Sequence, residues 1–172
     1  MYHDCRDLTD LSLRRRDTAC GAVFVHRHMI DRRHPRKPPT RPLVLLVDGH
    51  QDTRELYMVA LPPLGFDVMT VADSAEAYSR AWESHPDIIV TELALRHRDG
   101  WELLRHLKGD PRTRDIPVVV VTGDGQQPAR ERASREGCAA FFCKPCLPED
   151  LALELRRLLI SNTSHEHVSA RS

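Results

Sequence analysis

Apolar residues in this chain come in short unbroken runs, separated by stretches of helical period. The first run, Leu43-Val44-Leu45-Leu46-Val47, stops at Asp48-Gly49. Apolar runs of strand length with no polar alternation predict strands buried on both faces. Phe66–Val71 predicts a second strand, a third ends at Glu92, Ile116–Thr122 forms a fourth, and the short Ala139–Phe142 a fifth. Between them lie helix signals. Asp52-Thr53-Arg54-Glu55 and Asp73-Ser74-Ala75-Glu76 each pair a capping acceptor with a Glu three residues on. Pro62-Pro63 ends the first of these helices, and the second reaches about Ser84. A third helix opens at Gly100 with Trp101, Leu104 and Leu107 on one face, and Asp110-Pro111 breaks it. A fourth runs from about Pro128 to Glu136, ended by Gly137. The last begins near Pro148 and carries the apolar stripe Leu151, Leu155, Leu158 and Leu159 to about Ile160. Its Glu149 and Asp150 in the first turn, and Arg156 and Arg157 in the last, complement the helix dipole.

Strands that alternate with helices over residues 43–160 predict an α/β fold, a doubly wound parallel sheet with helices on both faces. Ligand chemistry in such a sheet sits at the carboxyl ends of the strands. The polar residues found there are Asp48, Glu92, Thr122 and Lys144.

Charge divides the chain differently from hydropathy. Residues 1–42 hold 10 Lys/Arg against 5 Asp/Glu, and residues 43–172 hold 15 against 20, so the net charge of zero hides a basic arm on an acidic body. The arm shows no sustained period and ends in a stretch with Pro35, Pro38, Pro39 and Pro42. It reads as a disordered extension or linker, ahead of a folded domain at 43–160 and a polar tail at 161–172 expected to fray. Met29 is an alternative start to Met1. Arg14-Arg15-Arg16 before Ala19–Val25 has the order of a secretion signal, but the run is short and lacks a small-residue cleavage pattern. No run approaches the ~18 apolar residues of a membrane span. Five scattered cysteines do not make a disulfide framework, and the expectation is a cytoplasmic protein.

The four strand-end residues together give a family resemblance. Residues 43–160 resemble a receiver domain of bacterial two-component response regulators. That resemblance implies the flavodoxin-like strand order 2-1-3-4-5. It also implies an acidic pair after the first strand that helps bind Mg²⁺, and a phosphoryl-accepting Asp after the third. A Thr or Ser after the fourth and a Lys-Pro after the fifth complete the pattern. Thr122 and Lys144-Pro145 match those last two as phosphate-contact positions, Asp99-Gly100 matches the Asp-Gly after the acceptor loop, and Phe141 falls at the family's aromatic switch position.

Two positions depart from the pattern. The acceptor position holds Glu92, and the acidic pair reads Asp48-Gly49, so its second carboxylate is missing. No cofactor is expected, and at most a loosely held Mg²⁺ on Asp48, Glu92 and the carbonyl of Ala94. Glu92, longer than Asp by a methylene, brings a permanent charge towards Lys144 and Thr122 and is expected to imitate the phosphorylated state. The expected function is that of a stand-alone receiver in phosphorelay signalling, acting by docking to a protein partner, a histidine kinase or a downstream effector. The alternatives are an ordinary phospho-accepting receiver and a polyanion-binding adaptor working through the basic arm. No helix-turn-helix follows the receiver-like region, which argues against specific DNA reading. Oligomeric state is not encoded in any of these patterns. No Gly-x-Ser-x-Gly, Gly-Lys-Ser/Thr or His-Glu-x-x-His pattern occurs, so catalysis is not expected. Cys143-Lys144-Pro145-Cys146 has redox-motif spacing, but it straddles the lysine-proline turn instead of opening an early helix as a thioredoxin pair does.

Overall fold

The computed structural model describes residues 41–95 and 100–169, with side chains to Asn162. The basic arm up to Thr40, the alternative start at Met29, and Asp99 lie outside these residues. Five strands, β1 (Leu43–Val47), β2 (Asp67–Val71), β3 (Ile88–Thr91), β4 (Val118–Thr122) and β5 (Ala140–Cys143), form one sheet in the order β2-β1-β3-β4-β5. Every pairing is parallel. The order is the 2-1-3-4-5 that the resemblance implied.

The central strands are apolar throughout because both of their faces are covered. Val44, Leu46, Ile88, Val90, Val119 and Val121 point to one face, where they meet Tyr57 and Leu61 from the first helix and Leu151 and Leu155 from the last. Their neighbours Leu45, Val47, Ile89 and Val118 point to the other, against Ala77, Ala81, Leu103, Leu104 and Leu107. The period-2 alternation of a strand thus splits each run between two cores. Helices α1 (Gln51–Ala60) and α5 (Pro148–Ser169) cover the first face, and α2 (Ser74–Ser84) and α3 (Gly100–Gly109) the second. Helix α4 (Gln127–Arg135) buries Ala129 and Ala133. The edge strands β2 and β5 are only half-buried along most of their length.

Helix boundaries follow local hydrogen bonding. Asp73 caps α2 as the sequence predicts, its Oδ1 accepting the amides of Ala75 and Glu76 at 2.9 Å each. Asp73→Ala is expected to cost about 1 kcal/mol of stability, measured as a lower urea midpoint at unchanged slope. At α1 the sequence reading placed the cap at Asp52, and the structure corrects it. His50 is the N-cap residue and makes no side-chain capping bond. The carboxylate of Asp48 accepts the amide of His50 at 2.8 Å, so the chain turns early and Asp52 falls inside the first turn. Pro62-Pro63 form a short 3₁₀ turn (Pro62–Leu64) that Gly65 closes at φ +95°, a left-handed conformation that glycine adopts without strain. Helix α5 continues past Ile160 to Ser169, nine residues further than the hydrophobic stripe predicts.

Candidate functional site

Strand order decides what the carboxyl edge of the sheet brings together. From β1 the chain moves outward to β2 and then crosses back to β3 on the other side of β1. The loops after β1 and β3 therefore diverge from a common crevice. Asp48 follows β1 and Glu92 follows β3, and the amide of Glu92 bonds to the carbonyl of Val47 at 2.9 Å. The two carboxylates are placed as neighbours by backbone pairing alone. Thr122 ends β4, and the amide of Lys144 bonds to its carbonyl at 2.8 Å, which fixes the root of the lysine beside the same crevice.

The side chains complete the constellation. Lys144 Nζ lies 2.6 Å from Asp48 Oδ2 and 2.8 Å from Glu92 Oε2. One ammonium thus bridges two carboxylates, of residues only 3 % and 4 % exposed. The second oxygen of Glu92, Oε1, accepts the amides of Leu93 at 2.7 Å and Ala94 at 3.1 Å. Ala94 therefore meets Glu92 through its amide. Burial works to raise the Glu92 carboxyl, but bonds from Lys144, the Thr122 hydroxyl and the Ala94 amide hold it below its ordinary value. For Lys144, burial works downward and the bonds to Asp48 and Glu92 outweigh it, so the ammonium is held above its ordinary range. Both shifts favour the fully ionised bridge.

Asp48 has further partners that sequence reasoning missed. Its Oδ1 accepts the backbone amide of His50 and lies 3.2 Å from the exposed imidazole Nδ1. Arg54 donates to the Asp48 carbonyl at 2.7 Å. Neither residue stands out in the sequence, because one lies in a turn and the other is an ordinary arginine one helical turn later. Tyr57 also reaches the site from below, its hydroxyl donating to the carbonyl of Cys146 at 2.9 Å and anchoring the loop after β5. Gly100 is needed for contact as well as for a turn. A Cβ there would come within 2.5 Å of the carbonyl oxygen of Glu92.

Thr122 is fully buried and accepts the amide of Asp124 at 3.2 Å. Phe141 is half-buried on β5 with the guanidinium of Arg130 5.1 Å above its ring. Through that contact its ring faces α4. Among the described residues no group of three or more His, Cys, Asp or Glu side chains converges as metal ligands. None of the described helices is long and apolar enough to cross a membrane.

A doubly wound parallel sheet with two acidic loops, a buried threonine and a lysine at one edge defines a domain of the flavodoxin-like type. Residues 44–156 match the model of the response regulator receiver domain, and the chain belongs to that family. It is 29 % identical over 116 residues to the phosphate regulon transcriptional regulatory protein PhoB of Pseudomonas aeruginosa, covering 67 % of this chain and 51 % of that protein. The chain thus spans about half the length of that relative. It is 30 % identical over 102 residues to the polar-differentiation response regulator DivK of Brucella ovis, covering 59 % of this chain and 83 % of DivK. The chemotaxis response regulator CheY4 of Vibrio cholerae superposes with a TM-score of 0.64 at 24 % identity, over 69 % of this chain and 98 % of CheY4. That likeness shows the shared fold. The chain carries a receiver domain of two-component signalling.

Proposed function

We propose that this receiver signals without accepting a phosphoryl group, with Glu92 at the acceptor position supplying a permanent negative charge. The observation that carries the reading is the ammonium of Lys144 bridging Glu92 and Asp48 at 2.8 and 2.6 Å. A charge that an ordinary receiver gains on modification is here built into the side chain. Glu carries its carboxylate about 1.5 Å further than Asp. A misplacement of about 1 Å costs about 100-fold in rate where attack must be in line.

The donor set also does not fit Mg²⁺. That ion takes near-octahedral oxygen ligands, usually one or two carboxylates plus water. Here the available carboxylate oxygens are bonded to Lys144 and to backbone amides, and Gly49 adds no side chain. Without the cation, phosphoryl transfer lacks its main source of charge stabilisation. The protein is therefore read as a docking module with no catalytic activity, acting in the cytoplasm. Its partner is a protein, a histidine kinase or a downstream effector, met at the face of α4, β5 and α5. Exposed Leu147 and Leu153 on the α5 side of that face support the assignment.

Incubation with acetyl phosphate and Mg²⁺, followed by intact mass, tests the reading. The natural chain is expected to gain no phosphoryl mass, and a Glu92→Asp, Gly49→Asp double variant is expected to gain it. Labelling of the natural chain would show an ordinary phospho-accepting receiver. Labelling of neither would mean that Glu92 and Gly49 are not what silences the pocket.

A further inference from the structure

Two thiols flank the bridging lysine in sequence, and the signalling role makes no use of them. Cys143 ends β5 and is exposed, Cys146 is half-buried, and both are free. The chain bends at the intervening Lys144 and Pro145, so the cysteines stand at the two ends of one bend. Both line the same open surface cavity beside α5, along with Phe142, Asp150 and Leu153. The Cys143 sulfur packs against the loop after β4, where a Cβ on Gly125 would lie 2.4 Å from it. Cys146 is held from the other side by the Tyr57 hydroxyl on its carbonyl.

We propose that Cys143 and Cys146 form an oxidisable dithiol, closed to a disulfide by a hydroperoxide, and that closure draws Lys144 off Asp48 and Glu92. The exposed Cys143 is the attacking group. Burial, more than the opposing Tyr57 hydroxyl, pushes the Cys146 thiol up, and Asp150 adds to it. Cys146 is therefore the resolving partner. Cys143 as thiolate attacks a peroxide oxygen, the O–O bond breaks, and the departing hydroxide takes a proton to become water. The Cys146 sulfur, giving up its proton, then attacks the sulfenic sulfur. An S–S bond forms and a second water leaves, so two electrons have passed from the thiols to hydrogen peroxide.

Closure has a structural consequence at the site. The Cys143 sulfur must leave its contact with Gly125 and turn into the cavity, while Cys146 stays tied to Tyr57. The backbone between the two carries Lys144, whose amide is held by the Thr122 carbonyl at 2.8 Å and whose ammonium lies 2.6 and 2.8 Å from its partners, so closure that breaks the backbone bond also shifts the ammonium. This role differs from that of a thioredoxin. The pair receives oxidation and reports it to the carboxylates without turning over a substrate.

The test uses the full chain, a small excess of hydrogen peroxide, and alkylation of the remaining thiols. Trypsin does not cut before Pro145, so Cys138, Cys143 and Cys146 stay on the peptide Glu136–Arg156. Fragmentation of that peptide assigns the bond. The expected result is joint loss of label from Cys143 and Cys146, with Cys138 still alkylated. Cys146→Ser should stop at a sulfenic acid on Cys143 that dimedone traps. Amide exchange is the second readout. Leu93 and Ala94, bonded to Glu92, should exchange roughly tenfold faster in the oxidised chain, the scale set by losing a bond to a charged group. A bond to Cys138, independent oxidation of the two thiols, or unchanged exchange at Leu93 and Ala94 with the disulfide formed would each overturn the proposal.

Discussion

Gly100→Ala is expected to destabilise the domain by about 3 kcal/mol, the upper range for forcing an extra methyl into a packed site. The added Cβ would lie 2.5 Å from the carbonyl oxygen of Glu92, 2.6 Å from Cα of Leu93 and 2.8 Å from the carbonyl oxygen of Leu93. All three are backbone atoms, so no flexible side chain can move aside. The strand exit cannot shift freely, because the amide of Glu92 is paired with Val47 and that of Leu93 with the Glu92 carboxylate. Nor can α3 back away cheaply, since Leu103, Leu104 and Leu107 are all buried beneath it. Gly109, at the other end of the same helix, has open space around its Cβ position. Gly109→Ala should therefore stabilise by about 0.5–1 kcal/mol through helix propensity and a stiffer unfolded chain. Urea midpoints at constant slope compare the two. A Gly100→Ala midpoint equal to that of the natural chain would show that the exit of β3 yields far more easily than its bonding implies.

Lys144→Met should be comparably costly at neutral pH, about 3 kcal/mol, because removing one partner leaves two buried carboxylates without a counter-charge. The pH dependence identifies the cause. In the natural chain Glu92 is held below its ordinary value. Its share of stability is present above the unfolded carboxylate range and is lost as pH falls through the folded value. Lys144 is held above its ordinary value, so its share is complete below the unfolded lysine range and is lost as pH rises through the folded one. The bridge thus stabilises most between those two windows. In Lys144→Met the lysine contribution is gone, and burial pushes the Glu92 carboxyl up against the Thr122 and Ala94 bonds only. Mild acid should then narrow the gap between variant and natural chain, and Lys144→Met with Glu92→Gln should recover part of the loss. A gap that stays constant from neutral pH into the carboxylate range would place the cost in lost packing instead of lost charge.

These two positions were legible to different degrees. Lys144 and Glu92 were visible as polar residues at the ends of apolar runs, and strand order was enough to bring them together. Gly100 was visible only as the glycine of an Asp-Gly turn that opens a helix. Its close approach to the backbone of Glu92 and Leu93 depends on how α3 seats against the exit of β3, which no local pattern encodes. The cap at Asp52 was misplaced for a related reason. Its acceptor-and-Glu pattern is local, whereas the turn that starts α1 is set by Asp48 two residues before His50. His50 and Arg54 went unnoticed because they bond to Asp48 through geometry that appears only once the loop is closed.

The sequence by itself determined the alternation of strands and helices, the burial of the central strands, and which residues end them. Those features follow from hydrophobic period and from turn chemistry, which act over a few residues at a time. Tertiary structure decided the rest. It made Lys144 a bridge between two carboxylates, turned the Ala94 amide towards Glu92, and set Cys143 and Cys146 on one cavity. Each of these joins segments far apart in the chain through distances of a few ångströms, and such distances are fixed only when the sheet order and the helices packed on it are fixed.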